Sequence, residues 1–113
     1  MRKSYRVKKE SDFQRVFDTH DSIANHFFVI YQLKNKNPHH FRVGISVGKK
    51  IGNAVHRNWV KRRVRQTLID LKPRLKPVDF LVIARPKTDG LPMKAIKKDL
   101  INALELSNLL KSK

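Results

Sequence analysis

Between residues 49 and 65 the chain carries Lys49, Lys50, Arg57, Lys61, Arg62, Arg63 and Arg65, and no acidic residue occurs until Asp70. Seven cations without a carboxylate do not make a proton-transfer site. They make a surface for polyanions. A guanidinium meets a phosphate with two parallel hydrogen bonds, and each Lys or Arg that neutralises a phosphate releases condensed counterions. Exposed helices are commonly made inert by Glu and Lys four residues apart, and that device is missing here. The competing reading is a solvated helix face that happens to be basic, but such a face would repel itself unless an anion were bound.

The spacing says how these groups are presented. Asn53 is a good N-cap for a helix running from 54 to about 71, with Pro73 preventing a longer one. At ~100° per residue, with Val60 as origin, Val64, Leu68 and Leu71 fall within about 80° and form the buried stripe. Arg57, Lys61 and Arg65 fall at about 60°, 100° and 140°, a continuous row along one edge of that stripe. Asn58 and Arg62 point further out, Arg63 lies at the opposite edge, and Trp59 points largely away from the core. A cationic row where a helix meets a sheet lines a groove. Trp59 is then either a further stacking contact or plain surface.

Phe13, Phe17, Val29 and Tyr31 are the other residues of interest. Phe13 and Phe17 share one face of a short helix that begins at a capping box, Ser11 to Gln14, and runs to about 18. Alternation along an expected strand at 26–34 puts Phe27, Val29, Tyr31 and Leu33 on one face and Phe28 and Ile30 on the other, so both faces are apolar. These aromatics fit either an ordinary core or a platform on which single-stranded bases stack. His39 and His40 are too isolated for a metal site. Asp12, Asp18 and Asp21 match no metal-binding spacing, and no nucleophile, base and acid occur as a set.

The elements that must hold these residues follow from periodicity. A second strand at 41–47 alternates cleanly, with Phe41, Val43, Ile45 and Val47 facing inward. Arg42, Gly44 and Ser46 face the other way over a shallow floor. A hairpin between the strands at 26–34 and 41–47 is expected. The strand at 79–85 is separated from the one at 41–47 by the basic helix, so these two should be parallel neighbours. A last helix starts near Pro92 and runs to about 110, burying Ile96, Leu100, Ala103, Leu104 and Leu110. Helices packed on one sheet make a small α+β domain.

Composition sets the outer bounds. The chain has 113 residues and a formal net charge of +17, so one domain spanning 1–113 is expected, with a basic segment at 1–10 and a poorly ordered tail after about 110. There is no cysteine, which removes disulfides and thiolate metal sites. No apolar run approaches the ~20 residues of a membrane span, and no signal-peptide pattern follows the basic start. A cytoplasmic protein with a nucleic-acid partner and no membrane partner is the expectation. A helix-turn-helix reader of DNA would need a positioning helix before residue 54, where a strand and a glycine-containing loop stand instead.

The run Lys49-Lys50-Ile51-Gly52-Asn53-Ala54-Val55-His56-Arg57-Asn58-Trp59-Val60-Lys61-Arg62-Arg63-Val64-Arg65 closely resembles the signature of the bacterial ribonuclease P protein family. Arg6 to Lys9, Asp12 to Phe17, Arg42 to Val47 and Asp79 to Arg85 resemble further segments of that family. The resemblance implies an α-β-β-β-α-β-α order, a four-stranded sheet packed with helices, a left-handed βαβ crossover, a ribosomal-protein-like fold and a short extra strand near 22–24. It also implies a protein subunit without catalytic residues of its own. That subunit assists a large catalytic RNA in the magnesium-dependent removal of the 5′ leader from precursor tRNA, with Mg2+ held mainly by the RNA and no organic cofactor.

On the same ground, Lys49, Lys50, Arg57, Asn58, Lys61, Arg62 and Arg65 would bind RNA, and Phe13, Phe17, Val29 and Tyr31 would line a cleft for the leader. The partners implied are the catalytic RNA and precursor tRNA, with no obligate protein partner. A ribosomal or RNA-chaperone protein, indifferent to the leader, and a DNA-binding regulator are the competing functions.

Overall fold

The computed structural model describes residues 22–34 and 40–111, without the side chains of Leu33 and Lys34. The basic segment 1–10, the expected capping box and helix with Phe13 and Phe17, and His39 lie outside them. The strands are β1 (Ser22–Ala24), β2 (Phe28–Lys34), β3 (Arg42–Val47) and β4 (Val78–Ala84), and the helices are α1 (Ala54–Leu71) and α2 (Met93–Leu106). Single 3-10 turns occur at Lys49–Ile51, Lys72–Arg74 and Pro86–Thr88.

The four strands form one sheet in the order β1-β2-β4-β3. β3 and β4 are parallel neighbours joined through α1, as the intervening helix requires, and the short strand at 22–24 pairs antiparallel with β2. The expected hairpin between β2 and β3 does not form. β4 lies between them, antiparallel to β2 from Phe28↔Ala84 to Lys34↔Val78 and parallel to β3 from Arg42↔Asp79 to Val47↔Ala84. The reason is apolar content. Phe80, Leu81 and Val82 are fully buried in succession, so β4 is covered on both faces and belongs at the centre of the sheet. A direct hairpin would have left this strand at an edge.

One face of the sheet carries the core. Phe28, Ile30, Phe41, Val43, Phe80, Val82 and Ala84 meet Val60, Val64, Leu68 and Leu71 of α1 and Ile96, Leu100, Ala103 and Leu104 of α2. Full burial of each large aliphatic or aromatic side chain contributes about 1.5–3 kcal/mol. The buried side of α1 therefore cannot rotate outward without losing several such terms.

Two polar devices lock the elements. Asn25 accepts from the Phe27 and Phe28 amides at 3.0 and 2.8 Å and donates to the Asp99 carbonyl at 2.9 Å, tying the β1–β2 turn to α2. The last helix stops earlier than its apolar stripe suggests, at Leu106. Asn108 takes a left-handed φ of 58°, its amide donates to Glu105, and the Leu109 amide reaches back to the Leu104 carbonyl at 3.0 Å. This is a Schellman ending with asparagine in the glycine position. Leu109 and Leu110 remain buried after the turn, Leu110 through a bridge to Leu75. An apolar stripe records burial, and these two leucines are buried without being helical.

Candidate nucleic-acid interface

The approach to α1 is built to expose two lysines. Ile51 is buried and anchors the 3-10 turn, leaving Lys49 and Lys50 in solvent. Gly52 follows with φ 149°, and a Cβ there would stand 3.0 Å from the Cβ of His56, so a side chain is disfavoured by backbone strain and by a tight contact. Asn53 then caps the helix, its side chain accepting from the His56 amide at 3.1 Å. His56 Nδ1 lies 2.8 Å from Asp89 Oδ1, joining the start of α1 to the loop after β4.

Around the helix the side chains fall as the ~100° spacing demands. Val60, Val64 and Leu68 are fully buried, Arg57, Lys61 and Arg65 are half-buried, and Asn58 and Arg62 are exposed. Thr67 completes the buried side by donating its hydroxyl to the Arg63 carbonyl at 2.9 Å, a contact the apolar pattern alone could not reveal. Asp70 faces Lys97 of α2 at 3.6 Å, so the side of α1 away from the cationic row is the one turned to α2. The row itself overhangs β3, the edge strand. The Nε atoms of Arg57 and Arg65 are buried without a hydrogen-bond partner. The same is true of the Nε atoms of Arg63 and Arg74.

Trp59 departs from expectation. It is half-buried and packs against the core, and its ring is covered by Arg63, whose guanidinium carbon lies 3.5 Å from the ring centroid. Arg63 Nη1 also donates to the Trp59 carbonyl at 3.2 Å. An aromatic followed by Arg four residues later was the available signal for this pair.

Val29 and Tyr31 sit elsewhere. They are half-buried on the face of the sheet opposite to Phe28 and Ile30, hence opposite to α1. Strand register places Tyr31 beside Leu81 and Leu81 beside Gly44, and likewise Val29, Ile83 and Ser46 in a second row. Arg42 and Asp79 stand side by side at the next position of the same face. Arg42 Nε donates to Oδ1 at 2.9 Å and Nη2 to Oδ2 at 2.5 Å, a two-pronged pair with Asp79 buried. Alternation along the strand shows Arg42 only as a neighbour of a shallow floor and does not reveal this pair. The expected groove and the expected cleft therefore do not share one wall. The sheet separates them, and β3 is the edge around which they approach.

The family model described as Ribonuclease P matches residues 1–107. A ribonuclease P protein component from Limosilactobacillus reuteri is 66% identical over 114 residues, covering 100% of this chain and 97% of the relative. One from Limosilactobacillus fermentum is 67% identical, with both chains covered in full. The solved RNase P protein of Staphylococcus aureus superposes with a TM-score of 0.91 at 40% identity, over 96% of this chain and 100% of that one. With the basic helix, the sheet order and near-complete coverage in agreement, the chain belongs to the ribonuclease P protein family.

Proposed function

We propose that the chain is the RNA-binding subunit of ribonuclease P, assembling with a catalytic RNA that removes the 5′ leader of precursor tRNA. The observation that carries this is the cationic edge of α1: Arg57, Lys61 and Arg65 are held half-buried with no carboxylate from residue 49 to 69, and both arginines of the row have an orphaned Nε. A phosphate beside them supplies the missing acceptor and offsets the mutual repulsion. Lys49, Lys50, Asn58 and Arg62 extend the same surface outward. Half-buried side chains have less rotamer freedom to lose on binding than free surface chains.

The second contact is to the leader, on the other face of the sheet. Tyr31 and Val29 give an apolar wall beside the small residues Gly44 and Ser46, and Phe13 and Phe17 join it by resemblance to the family. Bases stacked on such a wall gain about 1–3 kcal/mol each, with little dependence on sequence.

Magnesium belongs to the RNA in this reading. Among the described residues no three His, Asp or Glu side chains are grouped to hold a metal ion, and Asp70, Asp79 and Asp89 each face a cation or histidine. The protein's part is electrostatic and positional: its cations replace some of the counterions that close packing of two RNAs demands, which lowers the magnesium needed. Reconstitution with the ribonuclease P RNA of Limosilactobacillus reuteri and end-labelled precursor tRNA tests this. Cleavage should become efficient at lower magnesium, and no gain over the RNA alone would overturn the reading.

A further inference from the structure

Trp59 is the single tryptophan of the chain, and the phosphate-binding row does not account for the surface around it. Val55, Trp59 and Arg63 follow one another at four-residue steps and form a ridge along α1. Val55 is 75% exposed, an aliphatic side chain left in water on a cationic helix. The Arg63 guanidinium lies over the indole, 3.5 Å from its centroid, and donates to the Trp59 carbonyl, so guanidinium and ring form one two-layer platform with the guanidinium outermost. A depression lies on each side of the ridge. One, of about 310 Å³, is bounded by Asn58 and Arg62 together with Arg63. The other, of about 200 Å³, is bounded by His56, Asp89 and Gly90. They differ in sign: the first has two guanidinium groups and no carboxylate, whereas the second holds the Asp89 carboxylate.

We propose that Arg63, backed by the Trp59 ring, is a stacking seat for one unpaired nucleobase of the catalytic RNA. The base occupies the depression beside Asn58, and its phosphate meets Arg62. This rests on the reading of α1 as the RNA-binding helix and adds to it a contact that is not ionic. Three features point to a nucleotide as occupant. A guanidinium plane laid on an indole, beside the aliphatic Val55, suits the face of a base, which stacks whatever its identity. The exposed Asn58 amide offers a donor and an acceptor to a base edge. The cationic rim runs without interruption from Arg62 to Lys61 and Arg57, so a strand whose phosphates follow the row reaches the depression directly. An apolar protein partner would instead have to desolvate Arg62 against nothing of opposite charge.

Because Trp59 is alone, intrinsic fluorescence reports it without labelling. Titration of the wild-type protein with the Limosilactobacillus reuteri ribonuclease P RNA should quench the emission in step with binding, and heparin, which has charge but no bases, should leave it largely unquenched. Trp59→Ala should weaken binding about 5- to 150-fold with an unchanged salt slope, Trp59→Phe should restore most of the affinity, and Trp59→Leu should not. Circular dichroism and a melting curve for each variant separate lost contact from lost fold. Equal quenching by heparin, quenching on raising the protein concentration without RNA, or full affinity in Trp59→Leu would each overturn the seat. If Arg62→Ala reduces affinity and salt slope while Trp59 variants bind normally, the seat alone fails. If neither residue matters, the reading of α1 fails with it.

Discussion

Replacing Arg62 with alanine removes a cation that the structure leaves free to act on solvent-side ligands. Arg62 is exposed on the outward face of α1, between the Arg57–Lys61–Arg65 row and the Trp59 ridge, and lines the carboxylate-free depression. The surface it belongs to offers six candidate phosphate contacts besides Arg63, namely Lys49, Lys50, Arg57, Lys61, Arg62 and Arg65. If each neutralises one phosphate, log K should fall against log salt with a slope of about −5, or about a 10³-fold loss between 50 and 200 mM monovalent salt. Arg62→Ala should make this slope shallower by about 0.9, so the variant differs most from wild type in dilute salt and the two curves converge as salt rises.

The assay is equilibrium binding of the catalytic RNA, by filter retention or anisotropy, at four or more salt concentrations and fixed magnesium. Arg63→Ala is the internal comparison. Its guanidinium is already engaged over Trp59, so its removal should change the slope by less than that of Arg62. A slope identical to wild type in Arg62→Ala, with the variant still folded, would refute a phosphate contact at this position. An equal change for Arg63 would refute the distinction drawn between free and engaged cations.

Three further outcomes are expected. Tyr31→Ala should weaken precursor tRNA binding by the holoenzyme by about 1–3 kcal/mol and leave mature tRNA binding nearly unchanged; equal losses for both would remove Tyr31 from the leader contact. Gly52→Ala should lower unfolding stability by about 1–3 kcal/mol in urea titration, because the added Cβ meets His56 at 3.0 Å and φ is 149°; wild-type stability would show that the turn before α1 can relax. A double-mutant cycle on Arg42→Ala and Asp79→Ala should give a coupling of about 1–2 kcal/mol, reduced from a fully buried pair because the Arg42 side chain keeps 34% exposure; coupling near zero would mean that each residue relies on other partners.

How far the sequence could be read depended on whether a feature was local. The Asn53 cap, the buried stripe of Val60, Val64 and Leu68 and the half-buried row of Arg57, Lys61 and Arg65 all follow from one helical period, and all stand where that period puts them. The alternation of β2 likewise separated Phe28 and Ile30 from Val29 and Tyr31. Strand order did not follow, since neighbours in sequence need not be neighbours in the sheet. The clue was Phe80, Leu81 and Val82, an apolar run that fits only a central strand. The end of α2 was hidden because Leu109 and Leu110 continue an apolar pattern through a turn that Asn108 makes. Trp59 was misplaced for a different reason: its helix angle points outward, but a ring that large reaches back to the core while Arg63 covers it.

The strand order matters for the proposed assembly more than the helix does. Had β2 and β3 formed a hairpin, β3 would have been an inner strand, with Tyr31 directly beside it and β4 at the edge. With β4 between them, β3 is the edge strand, and the alternation along β2 puts the apolar wall on the face opposite to the basic helix. An RNA bound along α1 does not lie on the other face of the sheet, so catalytic RNA and leader need not compete for the same surface. Ser46 and Gly44, small residues on β3, keep that edge low, and Arg42 is drawn down onto Asp79 instead of projecting across it. In the proposed arrangement the sheet stands between the two RNA contacts, and β3 is the edge past which a strand would pass from one to the other.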